Sequence, residues 1–256
     1  MFNPSVSNLS LISEGSRQPS LVFLHYFSGA AVSWQWVIEA LKCDFQCIAL
    51  DLPGFGDALP LAEPSLKSYS TFVRDALAQL ELDRVVVIGH SMGGKIALQV
   101  AADSASDTLE RVILVAPSPP TQEPMPEDER NRLLSDHHNP DVATTTVNGA
   151  TQEPLPKSRQ TIAIRTHIQA EDRTWRWWLL DGMNHSIDDQ LDQIRVPVTV
   201  MASVDDPVIP WDTIQHEVMA LLPEAELTQL SDIGHLIPLE APEQLAQSIR
   251  QAIATR

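Results

Sequence analysis

Ser91 stands between two glycines in Gly89-His90-Ser91-Met92-Gly93, and its neighbours say what a serine there can do. Upstream, Val85-Val86-Val87-Ile88 is a β-branched apolar run that reads as a strand buried on both faces. Downstream, Lys95-Ile96-Ala97-Leu98-Gln99-Val100-Ala101-Ala102 reads as a helix. A strand turning sharply into a helix strains the residue at the bend and crowds the positions two before and two after it. Glycine at both flanks removes the clash and leaves the hydroxyl exposed above the sheet edge. Ser91 also begins the helix, where unpaired N–H groups and the dipole favour developing negative charge. A serine so placed is a candidate nucleophile, provided that a base takes its proton and a third group orients the base.

Two later stretches offer those groups. Asp205-Asp206 follows a predicted strand, Val196-Pro197-Val198-Thr199-Val200, and lies in Asp-Asp-Pro-Val-Ile-Pro. His235 follows the last predicted strand, Glu226–Leu230, in Gly-His-Leu-Ile-Pro-Leu-Glu-Ala-Pro-Glu. Serine, acid, histidine is the chain order that accompanies a Gly-x-Ser-x-Gly turn in one hydrolase architecture. Either aspartate could serve as the acid.

These residues need a scaffold, and the hydrophobic pattern supplies one. Leu9–Ser13 reads as a short edge strand, and Leu21–Leu24 as a buried strand ending at His25-Tyr26-Phe27-Ser28-Gly29. Ser33–Lys42 has a helical period, Gln46–Leu50 is the next strand, and Asp51-Leu52-Pro53-Gly54-Phe55-Gly56 closes it. Leu66–Leu80 is an amphipathic helix, and Val112–Val115 a further strand beyond the Ser91 helix. Such alternation predicts a doubly wound, mostly parallel sheet with helices on both faces. Its loops at the strands' C-terminal ends share one edge, so His25–Gly29, Asp51–Gly56 and Ser91 should converge there.

After Ala116 the character changes. Pro117, Pro119, Pro120, Pro124 and Pro126 stop any regular element, and the chain stays polar with helical patches at Glu127–Leu134 and Ile162–Ile168. We read 118–193 as an inserted, mainly helical lid, and 1–117 with 194–256 as the core. The alternation resumes with helices near Trp211–Leu221 and at Pro242–Ala254.

The composition excludes some classes of function. The chain has 256 residues and a formal charge of −17, which repels nucleic acid and anionic membrane surfaces. No apolar run is long enough for a membrane span, and Met1–Arg17 lacks a signal-peptide pattern. Cys43 and Cys47 read as structural thiols in a reducing compartment, hence an expected cytoplasmic location. No metal or cofactor is implied.

Four motifs together resemble the α/β-hydrolase fold superfamily across the chain outside the insertion. They are His25-Tyr26-Phe27-Ser28-Gly29, Asp51–Gly56, Gly89–Gly93, and Gly234-His235 with Glu240-Ala241-Pro242. The resemblance implies Ser91 as nucleophile and His235 as general base and later acid. In the family pattern Gly-x-x-Asp-x-x-x-Pro the acid lies four residues before the proline, so Pro210 selects Asp206, with Asp205 as runner-up. The implied oxyanion hole is the backbone N–H of Phe27 and of Met92. Two positions depart from the pattern: Tyr26 stands where glycine is usual, narrowing the site or offering a phenol, and Ser203 replaces the glycine before the acid.

Other candidates read as structural. His90 packs under the turn, His25 braces the oxyanion loop, and Lys95 is a solvated first-turn residue. His137, His138, His167 and His185 read as solvated lid residues, without an acidic cluster at metal spacing. Trp175, Trp177 and Trp178 form either the lid's own core or, for Trp175 and Trp178, a substrate wall.

The expected activity is a serine hydrolase acting on a small-to-medium, largely apolar carboxylic ester or related acyl compound, by an acyl-enzyme, as a monomer or homodimer. The same residues could serve diketone C–C cleavage, thioester hydrolysis, lactone opening or a lyase step. Perhydrolysis, or a ligand-sensing role with slow turnover, are further alternatives. Epoxide hydrolysis and dehalogenation are disfavoured, because those branches use a carboxylate where this chain has Ser91.

Overall fold

The computed structural model describes residues 9–104 and 107–255. Seven strands form one sheet in the order β1-β3-β2-β4-β5-β6-β7. They are β1 (Leu11–Glu14), β2 (Ser20–Leu24), β3 (Gln46–Leu50), β4 (Val85–His90), β5 (Leu109–Val115), β6 (Val198–Ser203) and β7 (Glu226–Leu230). β1 pairs antiparallel with β3 at one edge, and every other pairing is parallel.

The parallel strands are apolar throughout, yet they sort their side chains with a period of two. Val22 and Leu24 of β2, with Val85 and Val87 of β4, join one core layer; Leu21, Phe23, Val86 and Ile88 join the other. The first layer packs against α2 (Leu66–Gln79) and α3 (Met92–Asp103), the second against α1 (Gln35–Leu41) and α10 (Pro242–Ala254). Each large aliphatic side chain so buried contributes roughly 1.5–3 kcal/mol, which fixes the sheet as a rigid platform. α2 starts at a reciprocal serine cap: Ser68 N–H donates to Ser65 Oγ at 3.1 Å and Ser65 N–H to Ser68 Oγ at 2.8 Å.

Between β5 and β6 the chain leaves the sheet and forms α4 (Glu127–Ser135), α5 (Pro140–Gly149), α6 (Lys157–Gln169) and α7 (Asp172–Trp177). A π-helical turn over Trp178–Gly182 continues α7, and a 3₁₀ turn spans Asp188–Gln193. Prolines at or beside the first residue open α4, α5 and α6, where a missing N–H costs nothing. A small core of Tyr26, Val147, Ala150, Leu155, Ala163, Leu236 and Leu239 seats α5 and α6 on the loops after β2 and β7.

After β6 come α8 (Trp211–Thr213), which runs on as a π-helical turn over Ile214–Met219, and α9 (Ile237–Glu240). The expected strands and the closing helix are present, with β1 and β6 displaced, and β4 and β5 extended, by up to three residues. α5 was not anticipated. No helix among the described residues is long and apolar enough to cross a membrane. Cys43 is exposed and Cys47 buried, both as free thiols.

Candidate active site

Ser91 joins β4 to α3 at φ +53°, ψ −116°, a conformation that side chains rarely adopt. The bend is held from three sides: Ser91 N–H donates to Val115 O at 3.0 Å, and Ser91 O accepts from Gly94 N–H at 2.8 Å and Ser118 N–H at 3.1 Å. The flanking glycines are required by close backbone approach. A Cβ on Gly89 would lie 2.2 Å from Gly93 O, and one on Gly93 would lie 2.5 Å from Leu24 O.

His235 is fixed by its own backbone as well as its ring. Its N–H donates to Ala150 O at 2.7 Å, and its carbonyl accepts from His90 Nε2 at 2.8 Å. Glu240 braces the same loop, accepting from Gly234 N–H at 3.0 Å and Gln152 N–H at 2.9 Å. The imidazole Nδ1 lies 2.8 Å from Asp206 Oδ2. The other oxygen, Oδ1, accepts from the N–H groups of Val208 and Ile209 at 2.7 and 2.9 Å, so the carboxylate is oriented by a turn of its own chain. Asp205, the runner-up, is exposed and accepts from Asp232 N–H at 2.8 Å. Ser203, in place of glycine, is accommodated: its Oγ accepts from Asp205 N–H at 3.2 Å.

Burial disfavours the imidazolium of His235. The charge and hydrogen bond of Asp206, with Glu123 and Glu240 behind them, outweigh that and hold its pKa above the ordinary 6.5. With Nδ1 committed to Asp206, Nε2 is the nitrogen left to accept a proton. Among the described residues no hydrogen bond joins Ser91 Oγ to His235. Both residues line the same cavity of about 470 Å³, and in unliganded sites such contacts are commonly long.

The cavity lies between the sheet edge and α4–α7. Tyr26, Phe27, Trp175 and Trp178 are among its walls. Phe27 packs on Trp175 with ring centroids 4.2 Å apart and lies 6.3 Å from Trp178. Trp177 instead stacks on Tyr69 of α2 at 4.9 Å, in the main core rather than in a core formed by the inserted segment alone. Tyr26 is buried, 5.1 Å from the His90 ring, and its hydroxyl has no partner among the described residues. Phe27 and Met92 follow the strand ends of β2 and β4. Met92 N–H is in the first turn of α3, where no intrahelical acceptor exists. His25 ties the loops together: its Nε2 accepts from Leu52 N–H at 3.1 Å and its Nδ1 donates to Tyr26 O at 2.8 Å.

Some expectations are corrected. Lys95 is not solvated: it is fully buried, and Nζ donates to Thr121 O at 2.7 Å and Met183 O at 3.3 Å, clamping the proline-rich segment to α3. Burial lowers its pKa to about 8. α3 is enclosed on all sides, so a polar position on it had no exposed face to occupy. His137 and His167 are likewise buried rather than solvated, whereas His138 and His185 are exposed. His137 stacks on Trp175 at 4.4 Å, nearly parallel. His137, His138 and Asp172 also form a cluster of metal-ligand type that the sequence did not suggest. Three of its four ring nitrogens are already engaged: His137 Nε2 with Ala170 O at 3.1 Å, His138 Nδ1 with Ile168 O at 2.7 Å, and His138 Nε2 with Asp172 at 2.9 Å. The Ile168 carbonyl, and after it Asp172, raise the pKa of His138.

Sequence reasoning did not single out Glu123, Arg132 or Thr146, which also line the cavity. No motif marks them; they stand between β5 and β6, and tertiary folding alone brings them to the cavity of Ser91. Glu123 is buried, and burial raises its pKa.

The arrangement can bind an acyl compound at a strained serine, beside a histidine held by an aspartate, under an aromatic wall. Solved structures with the same architecture include the carboxylesterase CesB (YbfK) of Bacillus subtilis, with a TM-score of 0.83 at 20% identity, covering 96% of this chain and 87% of that one. The esterase EaEST of Exiguobacterium antarcticum gives a TM-score of 0.84 at 18% identity, covering 96% and 95%. In sequence, the chain is 24% identical to the uncharacterized hydrolase YugF of Bacillus subtilis strain 168, over 91% of this chain and 89% of that one. A 27% match to an acetyltransferase component of the acetoin cleaving system of Pseudomonas putida spans 92% of this chain but only 63% of that protein. Residues 21–248, from β2 through most of α10, match the family pattern as a whole, and on that extent the chain belongs to the alpha/beta hydrolase family.

Proposed function

We propose that the chain is a serine hydrolase that cleaves a small-to-medium, largely apolar carboxylic ester or related acyl compound through an acyl-enzyme. In this reading Ser91 Oγ attacks the carbonyl carbon while His235 Nε2 takes its proton. Asp206 holds the Nδ1–H tautomer and offsets the charge of the imidazolium. The negative charge on the carbonyl oxygen is received by the N–H groups of Phe27 and Met92 at the head of α3. Collapse of the tetrahedral intermediate passes the proton from His235 to the leaving oxygen. A water deprotonated by His235 then releases the acid and frees Ser91. Residues 118–193 act as a cap whose α4–α7 close the cavity over these groups.

The observation that carries this reading is the 2.8 Å contact of His235 Nδ1 with Asp206 Oδ2, on a cavity that Ser91 enters at φ +53°. Trp175, Trp178 and Phe27 support an apolar acyl or alkyl moiety in the substrate, since aromatic walls reward apolar area removed from water. Turnover of p-nitrophenyl esters of increasing chain length tests it. The wild-type chain should hydrolyse the short-to-medium members, and Ser91→Ala should lose about 10³-fold or more in kcat. Hydrolysis undiminished in Ser91→Ala contradicts the proposal.

A further inference from the structure

Several polar side chains at the cavity have no part in that chemistry. Arg132 of α4 makes a two-pronged ion pair with Glu129, Nε at 2.7 Å and Nη2 at 2.5 Å, and Nη2 also donates to Thr146 Oγ1 of α5 at 3.0 Å. Its Nη1, though buried, has no partner among the described residues. His167 of α6 is fully buried, and neither of its ring nitrogens has a partner there. Its ring lies 4.7 Å from that of Trp175. Burial, reinforced by the charges of His137, Arg132 and His138, lowers its pKa to about 4, so it is a neutral imidazole with one donor and one acceptor. Arg132, Glu129, Thr146, His167 and Trp175 line the cavity that Ser91 and His235 share. Unmet donors are costly in a packed wall, and a lone one invites an explanation. Two on one cavity, from α4 and α6, point to a ligand atom that meets them.

We propose that Arg132 Nη1 and His167 form a second recognition point, which holds an uncharged carbonyl oxygen of the substrate away from the bond cut at Ser91. The inference rests on the hydrolase reading and narrows it: the preferred ester carries a second carbonyl, such as a ketone, on an otherwise apolar chain. The charge balance selects a neutral oxygen over a carboxylate. Glu129 already neutralises Arg132, His167 is neutral, and Glu123 adds a further carboxyl to the same wall. A carboxylate on the substrate would therefore meet a wall with no spare positive charge.

Binding to the Ser91→Ala chain tests this without turnover, using the fluorescence of the cavity tryptophans. The ligands are methyl esters with a ketone at carbon 4, 6 or 8, the plain alkyl methyl esters of equal length, and the monomethyl dicarboxylates. At least one oxo ester should bind about fivefold or more tightly than its alkyl counterpart and than the half acid. Adding His167→Phe or Arg132→Met should bring the oxo-to-alkyl ratio to about one. Equal binding of oxo and alkyl esters, or tightest binding of the half acid, overturns the proposal. Wild-type hydrolysis with no such discrimination overturns this inference alone. Discrimination without any wild-type hydrolysis overturns the hydrolase reading and leaves the recognition point standing.

Discussion

Asp206 and Asp205 are adjacent and chemically identical, yet only one reaches His235. The turn Asp206–Ile209 aims one carboxylate inward through two backbone N–H donors, while Asp205 faces solvent and caps the loop at Asp232. Asp206→Asn should therefore lower kcat by about 10²–10⁴-fold, measured by steady-state ester hydrolysis, while Asp205→Asn stays near wild type. The same pair sets the pH dependence. His235 must be neutral to act as base, and Asp206 favours its protonated form, so kcat/KM should rise with pH through a midpoint above 6.5. A midpoint at or below 6.5 would mean that Asp206 does not govern the imidazole. Ser91, Asp206 and His235 were legible because each sits in a short motif whose neighbours define its backbone. Lys95 was not, since its burial depends on Thr121 and Met183, 26 and 88 residues away, and nor was His167, buried against Trp175 of the next helix, because no local pattern describes these packings.

Among the elements, the turn between β4 and α3 is the least tolerant of change. Gly93→Ala would drive a Cβ to 2.5 Å from Leu24 O and 2.6 Å from His25 O, both backbone atoms of the neighbouring strand end. We expect a loss on the order of 3 kcal/mol in urea denaturation, together with loss of activity. Gly149, the last residue of α5, has nothing within 4 Å of the same added atom. Gly149→Ala should stabilise by roughly 0.5–1 kcal/mol, raising Tm by about 2 °C. The sheet and the helices flanking it were readable because their apolar periods are strong. α5 was not, because its Thr144-Thr145-Thr146 run has low helix propensity. In the folded chain those hydroxyls donate to the carbonyls four residues earlier, at 2.6, 2.9 and 2.9 Å, and Asn139 caps the first turn. Packing on Tyr26, Leu236 and Leu239 then selects the helix.

At the scale of the whole molecule, burial of imidazoles couples the fold to pH. Burial lowers the pKa of His25 and of His167 to about 4, and that of His90 well below the ordinary value. Between pH 6.5 and 4 the unfolded chain therefore binds protons that the folded chain refuses, so stability falls as pH drops through that window. Glu123, Glu240 and His235, whose pKa values are raised, act in the opposite sense, and we expect the three fully buried imidazoles to prevail. The midpoint of urea denaturation should be lower at pH 5 than at pH 7; an unchanged or higher midpoint would contradict that balance. Composition indicated a single acidic globular chain, but the enclosure of these rings is tertiary: His25 packs on Leu52 and Phe55, His90 on Tyr26, Trp34 and His235, and His167 on Trp175. The most direct test of the account asks whether the strained serine takes the acyl group. Acid-quenching the chain during turnover of a short ester, then measuring intact and peptide masses, should show the acyl increment on the peptide containing Ser91. The increment should disappear as the ester is exhausted and be missing in Ser91→Ala. Steady hydrolysis with the acyl group on another residue, or with the increment retained in Ser91→Ala, would contradict it.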